Sequence, residues 1–314
     1  MSLLVKGPVK TCEELLQEFN NKTMEIGPAK NIEFVGVGNK DVYNITAPFL
    51  DNGELVIAGR VEDRDSEESS VYFFVERAGK WEPKQDAPTF RLQDPFLTFI
   101  KGDLVLGGVE TFPHPEVVGA LGWRTIFLKG SSINELKEFA KGPDGMKDVR
   151  LVELSTGDIG VFTRPQGEKG GRGKIGFTRI DTLANLTSEK IDKAPLLVDQ
   201  FIDEEWGGAN EIHLLENGLL GVLGHIANFD KEGDRHYYPM IFVYNPLDDS
   251  YSDIELIATR SKFLEGPYKR PDLIDVVFSG GLIRKGNGRA VLYAGISDAC
   301  AQSIEIPDPF DRFE

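Results

Sequence analysis

Ionisable and amide side chains recur at nearly fixed distances from a series of turn glycines along the chain. Seven to nine residues before such a glycine stand Asn44, Asp94, Asp148, Asn210 and Glu211. Seven to ten residues after one stand Arg60, Glu110, Arg164, His225 and Asp298. Carboxyl, amide and guanidinium groups brought together suit a ligand that carries many hydroxyl groups, because they supply many directed hydrogen bonds. A pair of carboxyl groups among them can cleave a glycosidic bond.

The turn glycines belong to five similar hairpins. The intervals between Gly53, Gly102, Gly157, Gly218 and Gly288 are 49, 55, 61 and 70 residues. Each interval leaves room for two further strands, and a four-stranded unit repeated radially is the blade of a β-propeller. The fifth copy departs from the pattern, since Gly280 stands eight residues before its turn. We therefore predict an all-β, five-bladed β-propeller over residues 31–314, with a β-sandwich as the alternative.

The first part of the chain, residues 1–30, lacks the hairpin pattern. Thr11 and Glu14 have the spacing of a capping box, in which each side chain satisfies a backbone N–H group of the other residue at a helix start. We predict that residues 1–30 form a short N-terminal helical extension before the propeller.

The predicted architecture brings the polar positions together. In an antiparallel hairpin the start of the first strand and the end of the second lie at the same end. Because the innermost strand of every blade lines the central channel, the heads of the five first strands surround one mouth. Trp206 and Trp123 are close to these positions in sequence, and we expect their aromatic faces to stack on a sugar.

Composition restricts the possible partners. The formal net charge of −16 disfavours nucleic acid and anionic membrane surfaces, and no stretch reads as a transmembrane helix. The opening residues 1–10 carry no cleavable signal pattern. Cys12 and Cys300, at opposite ends of the chain, make neither a disulfide framework nor a metal site. We predict a cytoplasmic protein with no metal and no cofactor, while its oligomeric state stays open.

Several short motifs, in their order along the chain, resemble those of glycoside hydrolase family 130, the five-bladed β-mannoside phosphorylases and mannosidases. The stretches YN at 43–44, QDP at 93–95 and TRP at 163–165 are similar to the Phe-Asn-Pro, Glu-Asp-Pro-Arg and His-Arg-Pro motifs of that family. The stretches DVVFSGG at 275–281 and LYAGISD at 292–298 are similar to motifs of its last blade. The likeness is closer still to domain-of-unknown-function family 1861.

The resemblance implies roles for individual residues. Asp94 matches the general acid of the family, which delivers its proton through a sugar hydroxyl. Asn44 matches an asparagine that contacts the sugar, and Arg60 and Arg164 match its conserved-motif arginines. We further expect Asn210 and Asp298 to position a small carbohydrate, and His225 with the two arginines to bind ring hydroxyls or an anion.

One departure from the family bears on the reaction. Phosphorylases of the family carry a lysine before the glycines of blade four, where this chain has DEEW at residues 203–206. Acidic groups there would repel phosphate, so we favour inverting hydrolysis, with Glu211 as the base and Glu110 as second choice. The alternatives are a phosphorylase that uses inorganic phosphate as co-substrate, or a non-catalytic propeller that binds a sugar or a protein.

Overall fold

The structure is a computed structural model that describes residue 4 and residues 6–314. In this part of the chain the strands form five antiparallel sheets, arranged radially as the blades of a β-propeller. The predicted fold class is therefore confirmed. Within the described residues, no helix is long and apolar enough to cross a membrane.

The elements follow one another blade by blade. The chain begins with α1 (Cys12–Asn21) and β1 (Lys30–Asn31). Blade I contains β2 (Asp41–Tyr43), β3 (Phe49–Asp51), β4 (Glu54–Glu62), β5 (Ser69–Arg77) and β6 (Lys80–Pro83). Blade II contains β7 (Gln93–Ile100), β8 (Asp103–Pro113), β9 (Leu121–Gly130) and β10 (Lys137–Lys141). Blade III contains β11 (Arg150–Glu153), β12 (Ile159–Thr163) and β13 (Gly176–Ile180).

Two blades complete the ring. Blade IV contains β14 (Trp206–Leu214), β15 (Leu220–Phe229), β16 (Arg235–Tyr244) and β17 (Glu255–Leu256). Blade V contains β18 (Val277–Arg284), β19 (Arg289–Ile296) and β20 (Cys300–Pro307). Two short helices, α2 (Gly167–Gly170) and α3 (Ser188–Asp192), lie in connections. So do the 3-10 turns Ile133–Glu135, Leu183–Asn185, Arg260–Lys262, Pro271–Leu273 and Asp311–Phe313.

The N-terminal strand closes the ring. Strand β1 pairs with β20 and becomes the outermost strand of blade V, with Lys30 opposite Ser303. This strand spans the predicted boundary between the extension and the propeller at residues 30 and 31. Residues 1–3 and 5 of the predicted extension, and with them part of the stretch read for a signal pattern, lie outside the described residues.

Helix α1 begins where the sequence predicts. The Thr11 side chain accepts a hydrogen bond from the Glu14 backbone, and the Glu14 side chain accepts one from the Thr11 backbone. The inner face of the helix buries Cys12, Leu15 and Phe19 against side chains of blades III and IV. Burial of a large apolar side chain contributes about 1.5–3 kcal/mol, so this face fixes the helix to the propeller.

The core lies between neighbouring blades. Successive residues of a strand point to opposite faces, so each buried strand sends one apolar row to each neighbour. In β15, Val222 packs in the cluster shared with blade III, whereas Leu223 packs in the cluster shared with blade V. The innermost strands therefore lie side by side around the axis, and their first residues meet at one end.

Candidate active site

A cavity of about 240 Å³ opens at the end of the propeller where the innermost strands begin. All five blades or their connections contribute to its lining. Six residues predicted from the sequence line it, namely Asn44, Arg60, Asp94, Arg164, His225 and Asp298. The structure thus brings these side chains together, while the role of each stays a prediction.

An unusual backbone conformation recurs at the strand ends that border the cavity. Asn44, Asp94, Asp148 and Asp298 have φ angles of 44°, 48°, 59° and 50°, in the left-handed region. Asparagine and aspartate adopt this region more readily than other residues with a side chain. At Asp94 the strand pairing also shifts between Gln93 and Phe96, which is a bulge. Bulges and left-handed residues redirect a strand and are frequent beside functional sites.

One side of the cavity, which we call the Asp94 half, contains Asn44, Arg60, Asp94 and Asp298. Asn44 Nδ2 donates to Asp94 Oδ1 at 2.8 Å, and Arg60 Nη1 donates to the same oxygen at 3.1 Å. Burial opposes ionisation of Asp94, but the charges of Arg60 and Lys147 and the Asn44 hydrogen bond together outweigh it, and the pKa of Asp94 lies below its ordinary value. Without ligand, Asp94 is therefore an ionised, firmly held carboxylate.

Arg60 is itself held in place by a buried network. Its Nη2 lies 2.7 Å from Glu62 Oε2, and its Nε donates to Ser69 Oγ at 2.9 Å. Glu62 also accepts from Lys269 at 2.5 Å and from the Tyr43 hydroxyl. These contacts use most of the donors of Arg60, so this guanidinium positions Asp94 and has little capacity left for a ligand.

Asp298 differs from Asp94 although both have the same backbone conformation. Among the described residues, its carboxyl group has no hydrogen-bonding or ion-pair partner, and it lies half-buried in the cavity lining. Burial raises the pKa of Asp298; Arg60 opposes the increase, while the nearby Asp94 charge adds to it. Two carboxyl groups with pKa values shifted in opposite directions are an arrangement typical of acid–base sites.

A neighbouring group, which we call the Asp148 half, contains Lys147, Asp148, Arg164 and His225 in the lining and the buried Arg150 behind them. Arg150 and Arg164 approach the two carboxylate oxygens of Asp148 at 3.5 and 3.4 Å. Burial alone would raise the pKa of Asp148, but the two arginines lower it to about 2. The carboxylate therefore stays ionised and holds the guanidinium groups at the cavity wall.

His225 is uncharged in this half. Burial, together with the positive charge of Arg164, lowers the pKa of His225 to about 3. Its Nδ1 lies 2.8 Å from Asn210 Oδ1, and its Nε2 has no partner among the described residues. The ring packs against Tyr237 and Phe278 at 5.4 Å, and both of these aromatic residues line the cavity.

The lining carries an excess of positive charge within a strongly acidic protein. Its cationic members are Arg60, Lys147, Arg164, Arg235, Lys269 and Arg270, and its acidic members are Glu67, Asp94, Asp148 and Asp298. Three buried polar atoms of the lining lack a hydrogen-bonding partner in the described structure: Asn44 Oδ1, Asp148 Oδ2 and Arg164 Nη1. Buried polar groups are normally satisfied. The two oxygens would accept from donors such as hydroxyl groups, and Arg164 Nη1 would donate to an acceptor oxygen.

Asn210 and Trp206 lie behind the lining. Asn210 contacts the His225 ring, and its carbonyl oxygen accepts a hydrogen bond from Arg150 at 2.7 Å. Trp206 is buried and donates from Nε1 to the Tyr237 hydroxyl at 3.0 Å. Neither residue lines the cavity; Asn210 contacts the lining residue His225, and Trp206 contacts the lining residue Tyr237.

The structure places Glu211 outside the cavity. Its carboxylate accepts from the Leu282 backbone N–H at 2.7 Å and lies 2.9 Å from His213 Nε2. The pairing of β14 shifts between Ala209 and Glu211, which makes Asn210 a bulge residue, and successive residues point to opposite sides. Glu211 therefore ties blade IV to blade V.

Glu110 and Trp123 belong to the β8–β9 hairpin and do not line the cavity either. Glu110 Oε2 pairs with Arg124 at 2.7 Å, and Arg124 also contacts Asp144 at 3.0 Å. Trp123 lies opposite Thr111 in the same hairpin. Both residues therefore belong to the β8–β9 hairpin of blade II and are not part of the cavity lining.

The acidic stretch before the glycines of blade IV also lies away from the cavity lining. Asp203 is exposed and pairs with Lys174 at 3.1 Å. Glu205 is buried and accepts from the Cys12 backbone N–H at 2.7 Å, at the start of α1. The repulsion expected from these acids therefore does not arise in the cavity, which removes the sequence-based objection to phosphate.

Several lining residues were not predicted as functional. Lys147 lies in the connection before β11, and Tyr237 lies near the start of β16, the third strand of its blade. Lys269 and Arg270 lie in the connection before blade V. Of these four residues, only Lys147 could have been identified from the sequence pattern, because it directly precedes the predicted strand head Asp148. Within the described residues, no group of three or more His, Cys, Asp or Glu side chains could hold a metal ion.

The fold and site together define a five-bladed propeller with a charged, polar cavity at its axis. The chain belongs to the family described as "Protein of unknown function (DUF1861)", whose model matches residues 18–312. The resemblance predicted from the short motifs is thereby confirmed. Among curated proteins, none matches the chain.

Solved structures extend the comparison. MPT-4, a mannose phosphorylase from Leishmania mexicana in complex with phosphate ion, is 33% identical, with 96% of this chain and 94% of that chain covered and a TM-score of 0.87. MPT-1, a GDP-Man-dependent mannosyltransferase from the same organism, is 33% identical, with 96% and 95% covered and a TM-score of 0.86. A member of the GH130 family of mannoside phosphorylases is 13% identical, with 90% and 97% covered and a TM-score of 0.61, which shows a shared fold.

Proposed function

We propose that this protein is a phosphate-dependent glycoside phosphorylase that acts on a small mannoside. The observation that carries the proposal is the set of six cationic side chains in the cavity lining of a chain whose net charge is −16. Four of them pair with acids, whereas Lys147 has no acidic partner among the described residues and Arg164 Nη1 makes no hydrogen bond. Such a site concentrates an anion that the rest of the surface repels. The similarity to a mannose phosphorylase that binds phosphate ion supports the choice of anion and sugar.

The two halves of the cavity suit the two reactants. The Asp94 half offers amide and carboxyl groups, which hydrogen-bond sugar hydroxyls. The Asp148 half offers Arg164, whose Nη1 makes no hydrogen bond and lies 3.4 Å from Asp148 Oδ2, to a phosphate oxygen. Tyr237 and Phe278 add aromatic surface for a sugar ring.

The reaction exchanges one bond to the anomeric carbon for another. An oxygen of phosphate attacks this carbon, and the bond to the leaving-group oxygen breaks. That oxygen takes up a proton from Asp94, directly or through a sugar hydroxyl as the resemblance implies, and the proton of hydrogen phosphate restores the acid. The products are a sugar 1-phosphate and the released alcohol.

Asp94 is ionised in the free protein, because the charges of Arg60 and Lys147 and the Asn44 hydrogen bond keep its pKa low against the effect of burial. A phosphate dianion bound in the same cavity raises the pKa of a nearby carboxyl group, because a like charge favours the protonated form. Phosphate binding thus prepares Asp94 to act as an acid.

Phosphorolysis replaces hydrolysis as our preferred reaction. Inverting hydrolysis needs a second carboxylate as a base for water. Glu211, the base predicted from the sequence, lies outside the cavity, and Asp148 is committed to two arginines. Asp298 is the remaining carboxyl group that could activate water, and it lies close enough to Asp94 for the two charges to interact. The cations near Asp148 suit an anionic nucleophile better than water.

The test supplies mannobiose of each linkage with and without inorganic phosphate and measures mannose 1-phosphate and free mannose by NMR. The proposal predicts mannose 1-phosphate that appears only with phosphate, and the reverse synthesis from mannose 1-phosphate and mannose. Phosphate-independent release of free mannose would support hydrolysis instead. Transfer from GDP-mannose without phosphorolysis would favour a transferase, and binding without turnover would favour a sugar-binding propeller. Asp94→Asn protein, prepared identically, controls for contaminating enzymes.

A further inference from the structure

Lys147 is the one lysine of the cavity lining that lacks an acidic partner among the described residues. The other lysine, Lys269, pairs with Glu62 at 2.5 Å and with Glu67 at 3.0 Å. Lys147 is half-buried, and its charge acts on Asp94, Asp148 and Asp298, which places it between the two halves. Because no acidic side chain forms an ion pair with it among the described residues, this ammonium group is available to an anion that enters the cavity.

Blade IV cannot supply a cation at its glycine pair. A Cβ atom on Gly208 would lie 2.8 Å from Arg164 Cδ and 3.0 Å from His225 Cε1. A Cβ atom on Gly207 would lie 2.5 Å from the His225 carbonyl oxygen. The backbone of the two glycines therefore packs directly beneath Arg164 and His225. The glycine pair therefore contributes only backbone to this part of the cavity.

Cationic side chains outnumber carboxylates around Asp148. Lys147, Arg150 and Arg164 act on this single carboxylate, and His225 is neutral because burial, with the nearby cations, lowers its pKa to about 3. Three cations thus surround this one carboxylate, and two of them, Lys147 and Arg150, also act on Asp94. A phosphate dianion carries the complementary charge.

We propose that Lys147 is the second phosphate-binding cation, supplied by the head of blade III in place of a lysine from blade IV. The inference rests on the proposed function and deepens it by assigning the phosphate to Lys147 and Arg164 together. Lys147 contacts the nucleophile and leaves the sugar to the Asp94 half.

The test compares Lys147→Met, Lys147→Arg and a control, Lys141→Met, in which an exposed lysine that pairs with Glu138 is replaced. Loss of one charge-assisted hydrogen bond corresponds to an increase of about 10- to 100-fold in the phosphate KM. We expect that increase for Lys147→Met, a mannoside KM within about twofold of the wild type, and a substantial recovery for Lys147→Arg. The control is expected to match the wild type in both constants.

A second measurement separates this inference from the proposed function. Calorimetric titration with inorganic phosphate reports binding to the wild type and to Lys147→Met without any turnover. Phosphate binding that weakens only in Lys147→Met supports the inference even if no mannoside is cleaved, whereas the absence of phosphate-dependent turnover rejects the proposed function alone. An unchanged phosphate affinity, an equal rise of both KM values, or no phosphate binding by the wild type would overturn the role of Lys147.

Discussion

The two halves of the cavity use the same backbone device for different chemistry. Asp94 and Asp148 both stand at strand heads with left-handed φ angles, and both are buried. Asp94 lies in a network whose charges nearly balance, since Arg60 and Lys269 face Glu62 and Asp94 itself. Asp148 instead is outnumbered by cations. The comparison teaches that the repeated fold fixes where a carboxylate lies, while neighbours outside the repeat decide what it does.

Asp94→Asn is expected to have the largest effect on activity. The amide keeps the shape of the side chain but cannot transfer a proton, and loss of a general acid lowers kcat by about 10²- to 10⁴-fold. Steady-state phosphorolysis measures the effect. Glu211→Gln is the matched control, because this carboxylate lies outside the cavity. If Glu211→Gln loses as much activity as Asp94→Asn, the result would favour hydrolysis with Glu211 as base over phosphorolysis.

Arg164→Lys is expected to weaken phosphate binding selectively. The guanidinium donates from Nε to the Gly207 carbonyl oxygen at 2.8 Å while Nη1 lies beside Asp148 without a hydrogen bond, and the single nitrogen of an ammonium group cannot occupy both places. We predict an increase of about 10- to 100-fold in the phosphate KM, with the mannoside KM nearly unchanged. Arg179→Lys, outside the lining, serves as the control. Equal changes in the two KM values would contradict the proposal that the Asp148 half binds phosphate and the Asp94 half binds the sugar.

Asp148→Asn is expected to lower the free energy of unfolding. Two arginines lower the pKa of Asp148 to about 2 against the effect of burial. At pH values above the ordinary pKa, the ionised carboxylate therefore stabilises the folded protein by about 2 kcal/mol. This stabilisation is complete above pH 3.8 and is lost as the pH falls towards 2. Urea unfolding at pH 7, at pH 4 and at lower pH measures the free energy of unfolding of both proteins. The difference between variant and wild type should become smaller as the pH falls. A gap independent of pH would show that Asp148 does not act through its charge.

Asp298→Asn should have the smallest effect on folding, and of opposite sign. Burial raises the pKa of Asp298, so its ionisation opposes folding increasingly as the pH rises above 3.8, and the cost is complete above the raised value. The amide removes this cost and should raise the melting temperature at pH 7, with a difference that disappears below pH 3.8. The same variant should bind the mannoside more weakly. A lower melting temperature at pH 7 would show that the carboxylate has a stabilising partner.

The sequence predicts the part of the site that the repeat controls. Recurring turn glycines are enough to place Asn44, Asp94 and Asp298 at one mouth, because hairpin geometry relates both strand ends to the turn. Glu211 could not be placed this way, since a one-residue bulge at Asn210 changes which side chains face the axis. The bulge has no marker in the residues around it.

The remaining members of the site come from segments that the repeat does not describe. Lys147 and Lys269 lie in connections, and Tyr237 lies on a third strand whose start is not defined by a turn glycine. Trp206 was expected to stack on a sugar, but the apolar side chain is buried and supports Tyr237 instead. Tertiary packing decides these positions, and a single sequence does not reveal it.

The division of the cavity is tested most directly by a crystal structure of the protein with inorganic phosphate. The account predicts one phosphate in the Asp148 half, in contact with Lys147 and Arg164 and near His225 Nε2, with the Asp94 half left open to a sugar. Phosphate bound instead beside Asp94 and Asp298, or no phosphate in the cavity at concentrations that saturate the protein in solution, would contradict it.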